Sequence, residues 1–175
     1  MGPEMMRAPA IAVSLICAAT AQASERSADL VNSFRNFCMP TPDFAALETR
    51  AADMKLPVRK DSISPPKPGQ SGHVKSWLVS LPSGRHELVA SQARTPKGDL
   101  DSCGIGVEDV DGEDLRQELV KALNLGPPLR QTWSVDGAQR VTTWKYSDDE
   151  LFLGDATSVK IPGAYLTLLH QIKSR

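Results

Sequence analysis

Between residues 27 and 56 the apolar positions recur at helical spacing. Leu30, Val31, Phe34, Phe37 and Cys38 fall on one helical face, and Pro40 ends the run. Thr41-Pro42 reads as the N-cap and first-turn proline of a second helix, with Phe44, Leu47, Ala51 and Met54 as its stripe. Leu56-Pro57 closes that helix.

The period then disappears. Residues 57–73 are rich in proline, serine and glycine, and too poor in backbone donors for regular structure. They are expected to form a long mobile loop.

From Ser76 the period becomes two. Trp77, Val79 and Leu81 alternate with Ser76, Leu78 and Ser80, residues 82–85 turn, and residues 86–92 run back as a hairpin. Cys103, Ile105 and Val107 share one face of a further strand, with Gly104 and Gly106 on the other. Glycines there mark a bulge or the close approach of another backbone. Asp111 suits the cap of a helix and Asp114 supports its first turn, with Leu115, Leu119, Val120 and Leu123 as the buried stripe. The run Asn124-Leu125-Gly126-Pro127-Pro128 stops it.

Residues 129–146 form the clearest hairpin, because Asp136-Gly137 favours a two-residue type I′ turn. Counting back from that turn sets Trp133 opposite Arg140, close enough for a cation–π contact. Residues 151–153 suggest a short strand. Residues 164–172, apolar at period two, suggest a strand inside the sheet. The pattern therefore predicts an α+β fold of order α-α-β-β-β-α-β-β-(β)-β. Two N-terminal helices precede an antiparallel sheet of about six strands, interrupted by one long helix, with the helices over one face. No internal repeat is evident.

The N-terminus changes the picture of where this fold operates. Arg7 precedes a short apolar run at 8–19, and Ala21-Gln22-Ala23 is the small-x-small pattern of a cleavage site. Residues 1–23 are expected to be a signal peptide cleaved near Ala23, with translation starting at Met1, Met5 or Met6. The run is too short to span a bilayer. Ile16 before Cys17 is too bulky for a lipid-anchor site, so no membrane anchor is expected. Removing 23 of 175 residues leaves 152, Ser24 to Arg175, enough for a single domain. The destination is the periplasm or the exterior of a bacterial cell.

Two of the three cysteines survive the cut, and in an oxidising compartment Cys38 and Cys103 are expected to form a disulfide. Their separation also excludes a C-x-x-C redox motif.

The chain carries 20 basic and 21 acidic residues, and no block of like charge stands out. A nucleic-acid partner is therefore not expected. Candidate chemistry is sparse. Asp109-Val110-Asp111-Gly112-Glu113 resembles a calcium loop, but the glycine falls in the wrong register. His73, His86 and His170 form no ligand pair, and no nucleophile, phosphate-loop or metalloprotease motif is present. No catalytic, cofactor or metal residue is assigned.

The strand tryptophans suit core and cross-strand packing first; the candidate binding surface they otherwise offer is Trp77, Trp133 and Trp144, with Arg140. The expectation is an exported binding or accessory protein for an unknown protein or small-molecule partner. The alternatives are an inhibitor or immunity-type protein blocking an enzyme with a loop or a sheet edge, residues 57–73 being the natural candidate, and a hydrolase whose site, around His86 or His170, assembles only on folding.

Overall fold

The computed structural model describes residues 13–39, 42–67, 70–95, 98–108, 110–134, 137–156 and 163–172. The elements are α1 (Val13–Phe37), α2 (Phe44–Asp53), β1 (Val58–Lys67), β2 (Gln70–Leu81), β3 (Gly84–Thr95), β4 (Gly98–Glu108), α3 (Gly112–Leu123), β5 (Arg130–Trp133), β6 (Gln139–Tyr146), β7 (Asp149–Ala156) and β8 (Gly163–Ile172). All eight strands form one antiparallel sheet of order β1-β2-β3-β4-β8-β7-β6-β5.

The fold is mixed α+β, as expected, but the sheet has eight strands instead of about six. The largest correction falls on residues 57–73. They are mostly strand, forming β1 and the start of β2, and not a loop. The sequence argument overlooked that an edge strand bonds on one side only. Pro65 and Pro66 fall in the register shift between Ser64 and Lys67, where their missing N–H groups cost no central ladder bond. The third strand of the second half, β7, is also longer than residues 151–153, and β8 lies inside the sheet as expected.

The order of elements contains a symmetry the sequence does not display. Helix and four-stranded meander occur twice, β1–β4 and β5–β8, and the two meanders meet where β4 pairs antiparallel with β8.

Cross-strand register explains which side is buried. Trp77, Leu88, Ile105, Leu166, Leu153 and Thr142 form one row across six strands. Ala90, Cys103, Leu168, Leu151 and Trp144 form the next. Every residue in both rows is buried. The helices cover this face with Leu30, Val31, Phe34 and Phe37 of α1, Phe44, Leu47 and Ala51 of α2, and Leu115 and Leu119 of α3. Met54, expected on the stripe of α2, is instead its C-cap and stands exposed. The N-cap of α2 is Asp43, whose carboxylate accepts from the Ala46 N–H at 2.7 Å; Thr41 lies outside the described residues.

Gly104 is confined by its neighbours. A Cβ there would lie 2.8 Å from the Leu166 carbonyl oxygen, so the two central strands pack as closely as the glycine reading anticipated.

One acid sits inside this core. Asp101 is 2 % exposed, and its Oδ1 has no hydrogen-bond partner. Burial pushes its carboxyl above the ordinary aspartate value, against a side-chain bond from Gln92 and the Phe44 N–H at the start of α2. A raised folded pKa means the folded state holds the proton more tightly. The contribution to stability is thus fully present below the unfolded value and falls as pH rises through the folded one. Asp101→Asn is expected to unfold at higher temperature than wild type at pH 7 and to lose that advantage near pH 3. Equal melting temperatures for the two proteins at pH 7 would contradict the burial argument.

Candidate functional site

Cys38 and Cys103 are bonded, with an S–S distance of 1.97 Å and Cα atoms 5.2 Å apart. Both are fully buried, and the bond joins the end of α1 to the middle of β4. Sealed in the core, it is placed for structure and not for exchange with outside thiols.

The four residues expected as a binding surface do not stay together. Trp77 and Trp144 are 3 % and 2 % exposed and belong to the helix-covered face, so core packing holds for both and they leave the candidate surface. Period two revealed that they share alternate positions, but not which face the helices would cover. Trp133 is 56 % exposed and pairs with Arg140 as the turn count required. The Arg140 guanidinium lies 6.0 Å from the Trp133 ring centroid. It also donates to Asp155 at 3.0 Å and to Glu113 at 3.5 Å. Arg140 is therefore committed to internal partners.

Those partners stand at the start of α3. Asp111 caps the helix, accepting from the N–H groups of Glu113 and Asp114 at 2.8 and 3.0 Å. This use of Asp111 answers the calcium reading with a helix cap; Asp109 lies outside the described residues. No cluster of three metal-ligating groups occurs among the described residues.

The hydrogen bond from Arg116 holds the Glu113 carboxyl down to about 2. Its stabilising effect is present above the ordinary carboxylate value and disappears as pH falls towards 2. Glu113 is nearly half exposed, so solvent limits the contribution to less than about 1 kcal/mol. Glu113→Gln should lose that amount at pH 7 and nothing at pH 2 in thermal unfolding. A loss that persists at pH 2 would point to packing instead of charge.

The histidines are dispersed. His73 lies 2.7 Å from Asp61 and stacks on Phe44. His170 contacts Asp149 at 2.5 Å on the far half of the sheet. His86 is buried, and its Nε2 lies 3.2 Å from the Ser83 hydroxyl. Burial lowers its pKa, which suits a base. Yet its Nδ1 has no partner, while Asp29 accepts from the Ser83 N–H instead. The pair thus lacks the third group that would fix the imidazole's tautomer and orientation.

The uncovered face of the sheet carries the more developed feature. Leu78, Glu87, Gly106, Tyr165 and Gly154 form one row across it. A cavity of about 500 Å³ lies there, bordered by Arg59, Arg85, Glu87, Glu108, Gln139 and Tyr165. Arg59 is on β1 and Gln139 on β6, six strand intervals apart in the sheet order. The cavity is thus a trough lined from both halves of the sheet.

Its walls are set in advance. Tyr165 lies over Gly154, where a Cβ would come within 2.1 Å of the ring. The ring cannot settle further, and remains 37 % exposed. On its other side Gly106 has no atom closer than 3.8 Å to a would-be Cβ, leaving bare backbone as the floor. Arg59 and Glu87 form an ion pair at 3.2 Å on the opposite wall.

Of these residues the sequence marked only Gly106, as a bulge or close-approach glycine and not as part of a site. Arg85 and Glu87 do alternate with His86 and Leu88, a pattern of one polar face. What the sequence lacked was the pairing of β3 with β4 and β8, which brings them beside Gly106 and Tyr165.

No protein-family model, curated protein or solved structure matches the chain.

Proposed function

We propose that this is an exported periplasmic binding or accessory protein that uses the trough on the open sheet face. The observation that carries the reading is the asymmetry of the sheet. One face is closed by three helices and a disulfide, while the other holds a pre-formed trough with a fixed tyrosine and a glycine floor. The export signal supplies the compartment, and a disulfide fits it. Among the described residues no helix is long and apolar enough to cross a membrane. His86 borders the trough, but no third group orients its imidazole, so binding is the favoured activity.

Blocking an enzyme through residues 57–73 would rest on the sheet edge that β1 forms and not on a loop. The hydrolase reading draws on the Ser83–His86 contact alone.

Native mass spectrometry of the protein from its own host, without reductant, tests the proposal. The expected species starts at Ser24, carries the disulfide, and retains an extra mass that a Gly106→Val variant loses. A chain that keeps its leader with both thiols free overturns the export reading. An extra mass unchanged by Gly106→Val, or no extra mass in either protein, overturns the trough as the binding surface.

A further inference from the structure

We infer that the trough takes a neutral oligosaccharide. The inference rests on the binding reading and names its ligand class. Three properties of the trough lead to it.

The first is charge. Arg59 and Arg85 are balanced by Glu87 and Glu108. A groove of zero net charge gives a polyanion or a polycation no overall attraction. The second is the mixture of hydrogen-bonding groups. Guanidinium only donates, carboxylate only accepts, and the Gln139 amide does both. A sugar hydroxyl is at once donor and acceptor, so adjacent hydroxyls can be satisfied by such a mixed border. The third is the surface. Tyr165, braced against Gly154, offers a ring against which the C–H face of a sugar can pack, and the bare backbone at Gly106 lets a flat ring approach.

The volume of about 500 Å³ exceeds that of one sugar ring and favours several linked rings over a single small molecule. An extended peptide fits less well. The strands flooring the trough are paired on both sides within the sheet, so a polypeptide laid across them finds no ladder partner. Peptides that bind through backbone pairing do so at strand edges.

The test is binding to a glycan array of neutral and charged oligosaccharides, followed by titration calorimetry with those retained, cello-, malto- and N-acetylchito-tetraose included in every series. The expected result is binding to at least one neutral oligosaccharide. Gly106→Val, whose Cβ would meet no atom closer than 3.8 Å, should weaken it at least about tenfold, and Tyr165→Ala should do the same, whereas Tyr165→Phe should keep it. Circular dichroism and an intact disulfide show that each variant is folded, and Gly106→Val decides the matter if Tyr165→Ala is not. No binding to any neutral glycan, a preference for charged ones, or binding indifferent to Gly106→Val overturns the inference. If the host-derived extra mass depends on Gly106 but is not a saccharide, the trough reading stands and the sugar assignment alone fails.

Discussion

Replacing both Cys38 and Cys103 by serine should lower the unfolding free energy by about 4 kcal/mol, the value expected for closing a loop of this length in the unfolded chain. The bond spans a sequence separation of 65 and ties α1 to the central strand β4. Its effect is mostly on the unfolded state, which regains the freedom the crosslink denied it. The folded state keeps its packing, because Leu30, Phe34 and Phe37 bury their side chains whether or not the sulfurs are joined.

Against a total stability of roughly 5–15 kcal/mol, a loss of this size is severe. Urea unfolding of the oxidised protein, the reduced protein and the double serine variant provides the measurement. The reduced and serine forms should agree with each other and fall well below the oxidised form. A difference under about 1 kcal/mol would mean that the unfolded chain is already held compact, and the loop-closure account would fail.

Much of this fold could be read from periodicity. The stripes of α1 and α3 are the buried faces observed, the Asp111 cap forms as read, and the Trp133–Arg140 register follows from the Asp136-Gly137 turn. Each of these is decided within about 15 residues of chain. Failures occurred where a distant partner decides. Proline argued against strand at 58–67, and that argument holds for a central strand but not for β1 at the sheet's edge. Met54 continued a helical stripe, but the chain leaves the helix there.

The trough was invisible for the same reason. Glu87, Gly106 and Tyr165 are neighbours only because β3, β4 and β8 are adjacent, and β8 reaches that position after four intervening elements. Tryptophan, by contrast, drew attention through its residue type, which says nothing about the face it occupies.

That distinction can be measured directly. Trp144→Ala should cost about 3–5 kcal/mol, because it removes a large buried side chain from the row it shares with Leu151, Leu168 and Cys103. The neighbours lie on strands fixed by two ladders each, so they cannot collapse into the space. Trp144→Phe should cost far less, under about 1.5 kcal/mol, since most of the volume remains. It also removes an indole N–H that has no hydrogen-bond partner, which offsets part of the lost packing. Trp133→Ala should cost no more than about 1 kcal/mol, the scale of an exposed cation–π contact. Chemical unfolding of the three variants checks the order. If Trp144→Ala and Trp133→Ala prove equally mild, Trp144 is not a core residue, and the helix-covered face has been assigned to the wrong side of β6. If the order holds, the exposed aromatic chemistry of the molecule lies with Trp133 at one edge and Tyr165 in the trough, and ligand binding is to be sought at the second of these.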